Sequence, residues 1–232
     1  MFLDENVIAY HESNTQISVY MSKVYSWMAG ALAISALVAW STANTPGFMD
    51  TLMANPVLFY GMMIGELVLV IALAGWVQKM SLTTAIIAFL AYSVLTGLTL
   101  SSIFLVYTSA SIFKTFLITG GVFGVMSVYG YVTKKDLTSW GSFLIMSLIG
   151  MVLASLVNLF LHSQMIEWIT TYAGIIIFTG LTAWDTQKLK RFGSMGMEED
   201  MLGKMAIFGA LTLYLDFINL FLSLLRAFGN RR

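Results

Sequence analysis

The stretch Ala206–Phe228, AIFGALTLYLDFINLFLSLLRAF, is long enough to cross a bilayer, yet it carries Asp216 near its middle. An ionised carboxylate in hydrocarbon is costly, so such a residue faces a protein interior or a wet cavity. Thr212, Asp216, Asn219 and Ser223 follow one another at intervals of 4, 3 and 4, which sets them on one face of a helix. Leu, Phe and Ile fill the other faces. The segment therefore reads as a buried helix with one polar stripe, and that stripe must look at something polar. Asp185, in the preceding hydrophobic run, is the candidate partner.

The composition around this segment places the whole chain in a membrane. Of 232 residues, 58% are apolar and 10% charged, against roughly 25% charged in a soluble domain. Lysines and arginines balance aspartates and glutamates at 12 each, which implies neither a nucleic-acid partner nor an acidic substrate. The chain has no cysteine, excluding disulfides, thiolate metal sites and a cysteine nucleophile. His11 and His162 lie far apart in sequence, which argues against a histidine-rich zinc site. The N-terminus, MFLDENVIAYHE, is acidic where a secretory signal would be basic and then apolar, so the first hydrophobic run is expected to stay in the membrane.

A span needs about 20 mostly apolar residues at about 1.5 Å each. Seven runs qualify: 24–43, 56–77, 83–107, 113–133, 140–161, 168–188 and 205–228. They are too long for barrel strands and lack period-two alternation, so an all-α, seven-helix transmembrane domain over 24–228 is expected, in a single compact antiparallel bundle. Residues 1–23 are polar and read as an amphipathic lead-in at the membrane surface; 229–232 form a basic tail. With a cytoplasmic N-terminus, the inner segments hold Lys23, Lys79, Lys134, Lys135, Lys188, Lys190, Arg191 and Lys204, and the outer ones hold Lys114, Arg226, Arg231 and Arg232. This bias favours that orientation, and the proline-free seventh segment is read as crossing fully. The pairs Gly61/Gly65 and Gly120/Gly124 have the spacing that lets helices approach closely in lipid.

Three acids lie inside hydrophobic runs: Glu66, Asp185 and Asp216. Asp216 has the strongest claim to function. Asp185, in GLTAWDTQKLKR, reads equally as a site or as a solvated helix end, with Lys188 one turn on and Thr182 three residues before it on the same face. If this helix runs inward, Asp185 sits about 5 Å from its inner end and Asp216 about 15 Å deep. Direct pairing then requires the sixth helix to continue past Lys188, or a vestibule to reach Asp216. Glu66 has no cation in its own run and is expected to face the interior. Asn158 and His162, one turn apart, are weaker candidates. Two close carboxylates in a low-dielectric site cannot easily both ionise and titrate as a coupled unit. A shared proton would hold two helices together, and its loss would repel them. Ca²⁺ prefers such oxygens but wants six to eight of them, so Asp185 and Asp216 suit transient passage better than storage.

The stretches GLTAWDTQKLK (Gly180–Lys190) and ALTLYLDFINLFLSLLR (Ala210–Arg226) resemble the Bax inhibitor-1 family, also called transmembrane Bax inhibitor motif proteins. The resemblance is carried by Asp-Thr-Gln ending the sixth span and Tyr-Leu-Asp-Phe-Ile-Asn-Leu-Phe in the seventh. It covers most of the chain, is weakest over the first 23 residues, and suits a bacterial member of the cytoplasmic (inner) membrane. It implies seven helices with the last one central, and a pH-dependent calcium leak with a di-aspartyl sensor at Asp185 and Asp216. It also implies direct pairing of the two, and hence a sixth helix that runs inward beyond Lys188. Some members latch the pair with a basic residue on the second helix; here that helix has Glu66 and no Lys or Arg, which speaks for an acidic ion path instead.

The expected function is a Ca²⁺ leak gated by protonation of Asp185 and Asp216, with Glu66 in the ion path and Thr182, Thr212, Asn219 and Ser223 in support. No resident cofactor is expected; lipid, protons and Ca²⁺ are the partners. The alternative is a regulator that binds other membrane proteins, since the resemblance links bacterial relatives to a membrane-anchored AAA protease, with residues 1–23 as the contact. An intramembrane aspartyl protease also needs two aspartates on adjacent spans, but the contexts Trp184-Asp185 and Leu215-Asp216 lack its Tyr-Asp and Gly-x-Gly-Asp signatures. No enzyme activity is expected. Either pH direction of opening is compatible with the coupled pair.

Overall fold

The computed structural model describes the backbone of residues 5–232 and the side chains from Thr15 onward, except Asp50, Leu52 and Met53. The His11 side chain and most of the polar lead-in therefore lie outside the described residues. Helices follow in the order α1 (Glu5–Asn44), α2 (Phe48–Ala54), α3 (Pro56–Trp76), α4 (Leu82–Leu100), α5 (Ile103–Val106), α6 (Ser109–Val132), α7 (Thr138–Leu161), α8 (Gln164–Gly193) and α9 (Glu199–Phe228), with a short 3₁₀ turn Val77–Lys79 after α3. No strand occurs among the described residues. Seven segments are long and apolar enough to cross a membrane: Thr15–Asn44, Pro56–Lys79, Leu82–Val106, Ser109–Val132, Thr138–Leu161, Gln164–Gly193 and Glu199–Phe228.

Local chemistry sets many of these boundaries. Asn55 caps α3, its side chain accepting from the Leu58 N–H at 3.2 Å, and Pro56 occupies the first helical position, where it needs no hydrogen-bond acceptor. Ser81 caps α4 through the Thr84 N–H. α4 stops early, because the Ser101 and Ser102 hydroxyls turn back onto the Leu98 and Thr99 carbonyls at 2.5 and 2.7 Å. The expected third span is thus a helix, a break and the short α5. The first loop likewise holds a helix, α2, which the two prolines obscured in the sequence.

By its internal contacts the chain divides into two units: Met1–Val106 with Leu189–Leu211, and Tyr107–Lys188 with Thr212–Arg232. In the first unit α4 packs on α1 and α3. The Ser35 hydroxyl donates to the Ser93 carbonyl at 2.7 Å, and Gly97 lets α4 close onto α1: a Cβ there would stand 2.7 Å from that of Val38. Ile17, Tyr20, Met21 and Val24 are buried, and the Tyr20 hydroxyl donates to the Met205 carbonyl at 3.1 Å. The described part of the lead-in is therefore no separate surface helix. It continues the first span and is anchored in this unit's core.

In the second unit Leu144 of α7, Ile177, Phe178 and Leu181 of α8, and Leu220 and Leu224 of α9 form one apolar cluster. Phe217 of α9 meets Phe116 and Phe123 of α6 edge-on, with centroids 5.2 and 5.5 Å apart, a geometry aromatic rings favour. Exposure separates the spans by role. In α3 and α7 only 6% of the apolar window is buried, so these helices present Leu67, Ile71, Phe143, Met146 and Phe160 to hydrocarbon. In α9 the figure is 72%, against 33% or less elsewhere, which is the burial expected of the last helix.

The glycines that bring helices together are not the expected pairs. Gly61, Gly120 and Gly124 have open space where a Cβ would stand, and Gly65 has only ordinary contact with Leu95. In the second unit, a Cβ on Gly130 would strike the Ala183 carbonyl and one on Gly141 the Trp184 ring. Periodicity cannot tell a lipid-facing glycine from a packed one. Gly130→Val should therefore cost about 2–3 kcal/mol, and Gly120→Val less than about 0.5 kcal/mol, measured by unfolding of the purified protein in detergent. Equal effects would contradict the packing described.

Candidate functional site

α8 is rotated into place by its neighbours in the second unit. Ala183 lies against Gly130 of α6 and Trp184 against Gly141 of α7. Gln187 ties the same helix to the α6–α7 connection: its Nε2 donates to the Lys135 carbonyl at 2.8 Å, and its Oε1 accepts from the Leu137 N–H at 2.9 Å. With 183, 184 and 187 so engaged, Asp185 points to α9. There its carboxyl comes close enough to that of Asp216 for the two to interact directly, both residues 5% exposed. A hydrogen bond between two carboxyls needs a donor, that is, a proton on one of them.

The pair has one cation beside it. Lys188 Nζ stands 3.8 Å from Asp185 Oδ1 and 4.9 Å over the Trp184 ring, with its side chain about one-third exposed. Lys188 comes from α8 itself, one turn after Asp185, whereas a latch on the second helix would reach the pair from elsewhere. α8 does not end there but continues to Gly193, the extension that direct pairing requires. Phe217, next to Asp216, is held by the α6 aromatic rings, so one flank of the pair is apolar.

The remaining expected residues divide. Thr182 donates to the Phe178 carbonyl at 2.7 Å, Asn219 to Leu215 at 2.8 Å and Ser223 to Asn219 at 2.8 Å, each bonding back into its own helix. Ser223 also packs on Gly174. Thr212 is half-buried with a partner of its own. The stripe is thus largely satisfied within its helices, and Asp216 is the member that looks to another helix: its carboxyl meets Asp185, and its buried Oδ2 accepts no hydrogen bond. Glu66 belongs to the first unit, half-buried, where its Oε1 accepts from the Thr99 hydroxyl at 2.7 Å. Asn158 and His162 terminate α7. His162 adopts φ 50° and donates its N–H to the Asn158 carbonyl at 2.9 Å, while the Asn158 side chain accepts from the Ser163 N–H at 2.8 Å. Their polarity serves a helix end.

Two features escaped the sequence reading. Gln187 was visible only as part of a motif, although a glutamine at the end of an apolar run needs partners somewhere. On α6, Ser111, Thr115, Thr119 and Ser127 form a buried hydroxyl face with Phe123 in the series, and the Ser127 hydroxyl has no protein partner. Their four-residue spacing was the available signal. Buried orphaned polar atoms call for water or an ion. Among the described residues no group of three or more His, Asp or Glu gathers to hold a metal ion, so the two carboxyls alone fall far short of a Ca²⁺ storage shell.

The chain was compared with known proteins. The profile of the family described as inhibitor of apoptosis-promoting Bax1 matches residues 17–232. The Escherichia coli inner membrane protein YbhL is 55% identical over 218 residues, 93% of each chain. A Rickettsia prowazekii protein is 46% identical over 92% of this chain and 90% of its own, and a Streptococcus pyogenes membrane protein is 37% identical over 98% and 99%. The aspartyl pair of α8 and α9 therefore sits in a multi-pass membrane protein that belongs to the Bax inhibitor-1 family.

Proposed function

We propose that this protein is a pH-sensitive Ca²⁺ leak of a bacterial inner membrane, gated by the proton shared between Asp185 and Asp216. The observation that carries the reading is the buried approach of the two carboxyls, one from α8 and one from α9. Removing the shared proton places two like charges side by side in a low-dielectric interior, which drives the helices apart. Lys188 tempers that repulsion at the Asp185 side. The unpartnered Asp216 Oδ2 and Ser127 hydroxyl are oxygens that a passing cation or its water can use. Glu66 remains the further ion-path candidate by its place in an apolar run, and within the first unit the Thr99 hydroxyl holds its side chain. The lysine and arginine distribution supports a cytoplasmic N-terminus for this reading. No catalytic step is assigned to either aspartate.

Ca²⁺ flux in proteoliposomes, followed from mildly acidic to mildly alkaline pH, tests the gate. Wild type should show pH-dependent flux, and Asp216→Asn and Asp185→Asn should each flatten the profile, since asparagine keeps the size and a donor but cannot ionise. Flux that follows the same pH profile in wild type and both variants would remove the gate from this pair.

A second reading, a regulator that binds another membrane protein such as an AAA protease, is favoured by one feature. In the first unit a 710 Å³ groove is lined by Thr15, Gln16, Val19, Lys23, Gly196 and Glu199, among others. Deleting residues 1–23 would not test it cleanly, because Ile17, Tyr20 and Met21 belong to the core. Val19→Asp and Lys23→Glu, both on the exposed face, should abolish co-purification of a partner while leaving Ca²⁺ flux intact. Unchanged co-purification would count against this groove.

A further inference from the structure

The second unit carries another site, where α8 begins and α9 ends, that the aspartyl pair does not use. A polar pocket of 290 Å³ is lined there by Glu167, Thr171, Arg226 and Arg231, among others. An apolar groove of 520 Å³ adjoins it, adding Met165 and Ile169. The two cavities, one charged and one apolar, share Gln164, Trp168 and Tyr172 in their linings.

The charged pocket is built from fixed parts. Arg231 is no loose tail cation: the Thr108 N–H donates to the Asn230 carbonyl at 3.1 Å, and the Asn230 N–H to the Ser111 hydroxyl at 2.9 Å, fastening the tail to the start of α6. Arg226 Nε donates to the Leu222 carbonyl at 3.3 Å, holding that guanidinium at the end of α9. Glu167 Oε1 and Arg231 Nη2 are 3.9 Å apart with both side chains more than half exposed. That is too long for a charge-assisted hydrogen bond and weak as an exposed ion pair. Both groups therefore keep capacity for a ligand. Trp168 and Tyr172 lie tilted against each other with centroids 4.9 Å apart, and Tyr172 meets Phe228 edge-on. Amphipathic rings at the ends of spans lie level with lipid headgroups.

We propose that these adjoining cavities bind a phospholipid whose headgroup carries both a phosphate and a primary ammonium. The phosphate meets the guanidiniums of Arg226 and Arg231, which recognise such oxygens through paired N–H donors. The ammonium meets the Glu167 carboxylate, and an acyl chain lies in the groove along Met165, Trp168 and Ile169. A soluble phosphate ester would fill the pocket alone and leave the groove wet, so the apolar half selects a lipid. The position at the ends of two spans puts the site where such headgroups are.

The test is native mass spectrometry of the full chain in detergent, titrated with phosphatidylethanolamine or phosphatidylglycerol. Wild type should retain the ethanolamine lipid in preference. The double variant Arg226→Gln, Arg231→Gln should lose about tenfold in apparent affinity, the equivalent of about 1.4 kcal/mol. Glu167→Gln, an exposed change with little risk to folding, should abolish the preference between the two lipids while keeping binding. An unchanged thermal unfolding midpoint identifies each variant as folded. Absence of headgroup preference in wild type, or lipid adducts insensitive to both variants, would overturn the proposal. Displacement of the lipid by excess glycerophosphoethanolamine would also overturn it, making the pocket a site for soluble phosphate esters.

Discussion

Two carboxyl groups brought together in a buried setting constrain the helices that carry them. Their pairing needs a short separation and an apolar surround, and different parts of the second unit meet these needs. Gly130 and Gly141 remove the side chains that would hold α8 away from α6 and α7, so Ala183 and Trp184 seat directly on those helices. Gln187 fixes the end of the arrangement through two bonds to the Lys135–Leu137 connection. Phe217 closes the other flank with aromatic contacts. Once α8 is so rotated, Asp185 has one direction left, toward Asp216.

This arrangement also explains why the surrounding polar residues are quiet. Thr182, Asn219 and Ser223 return their hydrogen bonds to their own helix backbones. In a membrane interior that is the cheapest way to bury a hydroxyl or carboxamide. Among the described residues the oxygens left open are Asp216 Oδ2 and the Ser127 hydroxyl in the second unit and the Thr96 hydroxyl in the first. Lys188 differs from them, since a third of its side chain remains exposed and its ammonium rests over Trp184. It gives the pair a neighbouring positive charge that is not itself sealed in.

Where the chain ends, the same economy of fixed parts recurs. Backbone bonds from the tail to α6 turn a basic terminus into a structural element. Arg226 and Arg231 then face Glu167 across a polar pocket whose aromatic wall continues into an apolar groove. A region that reads in sequence as a short tail is, in the structure, the rim of a shaped cavity. The lipid-facing helices α3 and α7 show the contrast: their exposed apolar side chains meet hydrocarbon without selecting any one lipid.

The sequence by itself determined the seven spans, because runs of apolar residues of bilayer length have only one way to satisfy their backbone in lipid. It also marked Asp216 and Asp185, since a carboxylate in such a run must turn inward. Helix breaks within spans, the short α2 and the cap built by Asn158 and His162 depended on local hydrogen bonds that hydropathy does not register. Which glycines pack, what Gln187 holds and how the tail is fastened were decided by tertiary structure alone. Each depends on the rotation of one helix against another, and hydrophobic periodicity in a membrane leaves that rotation open because lipid and protein interior are equally apolar.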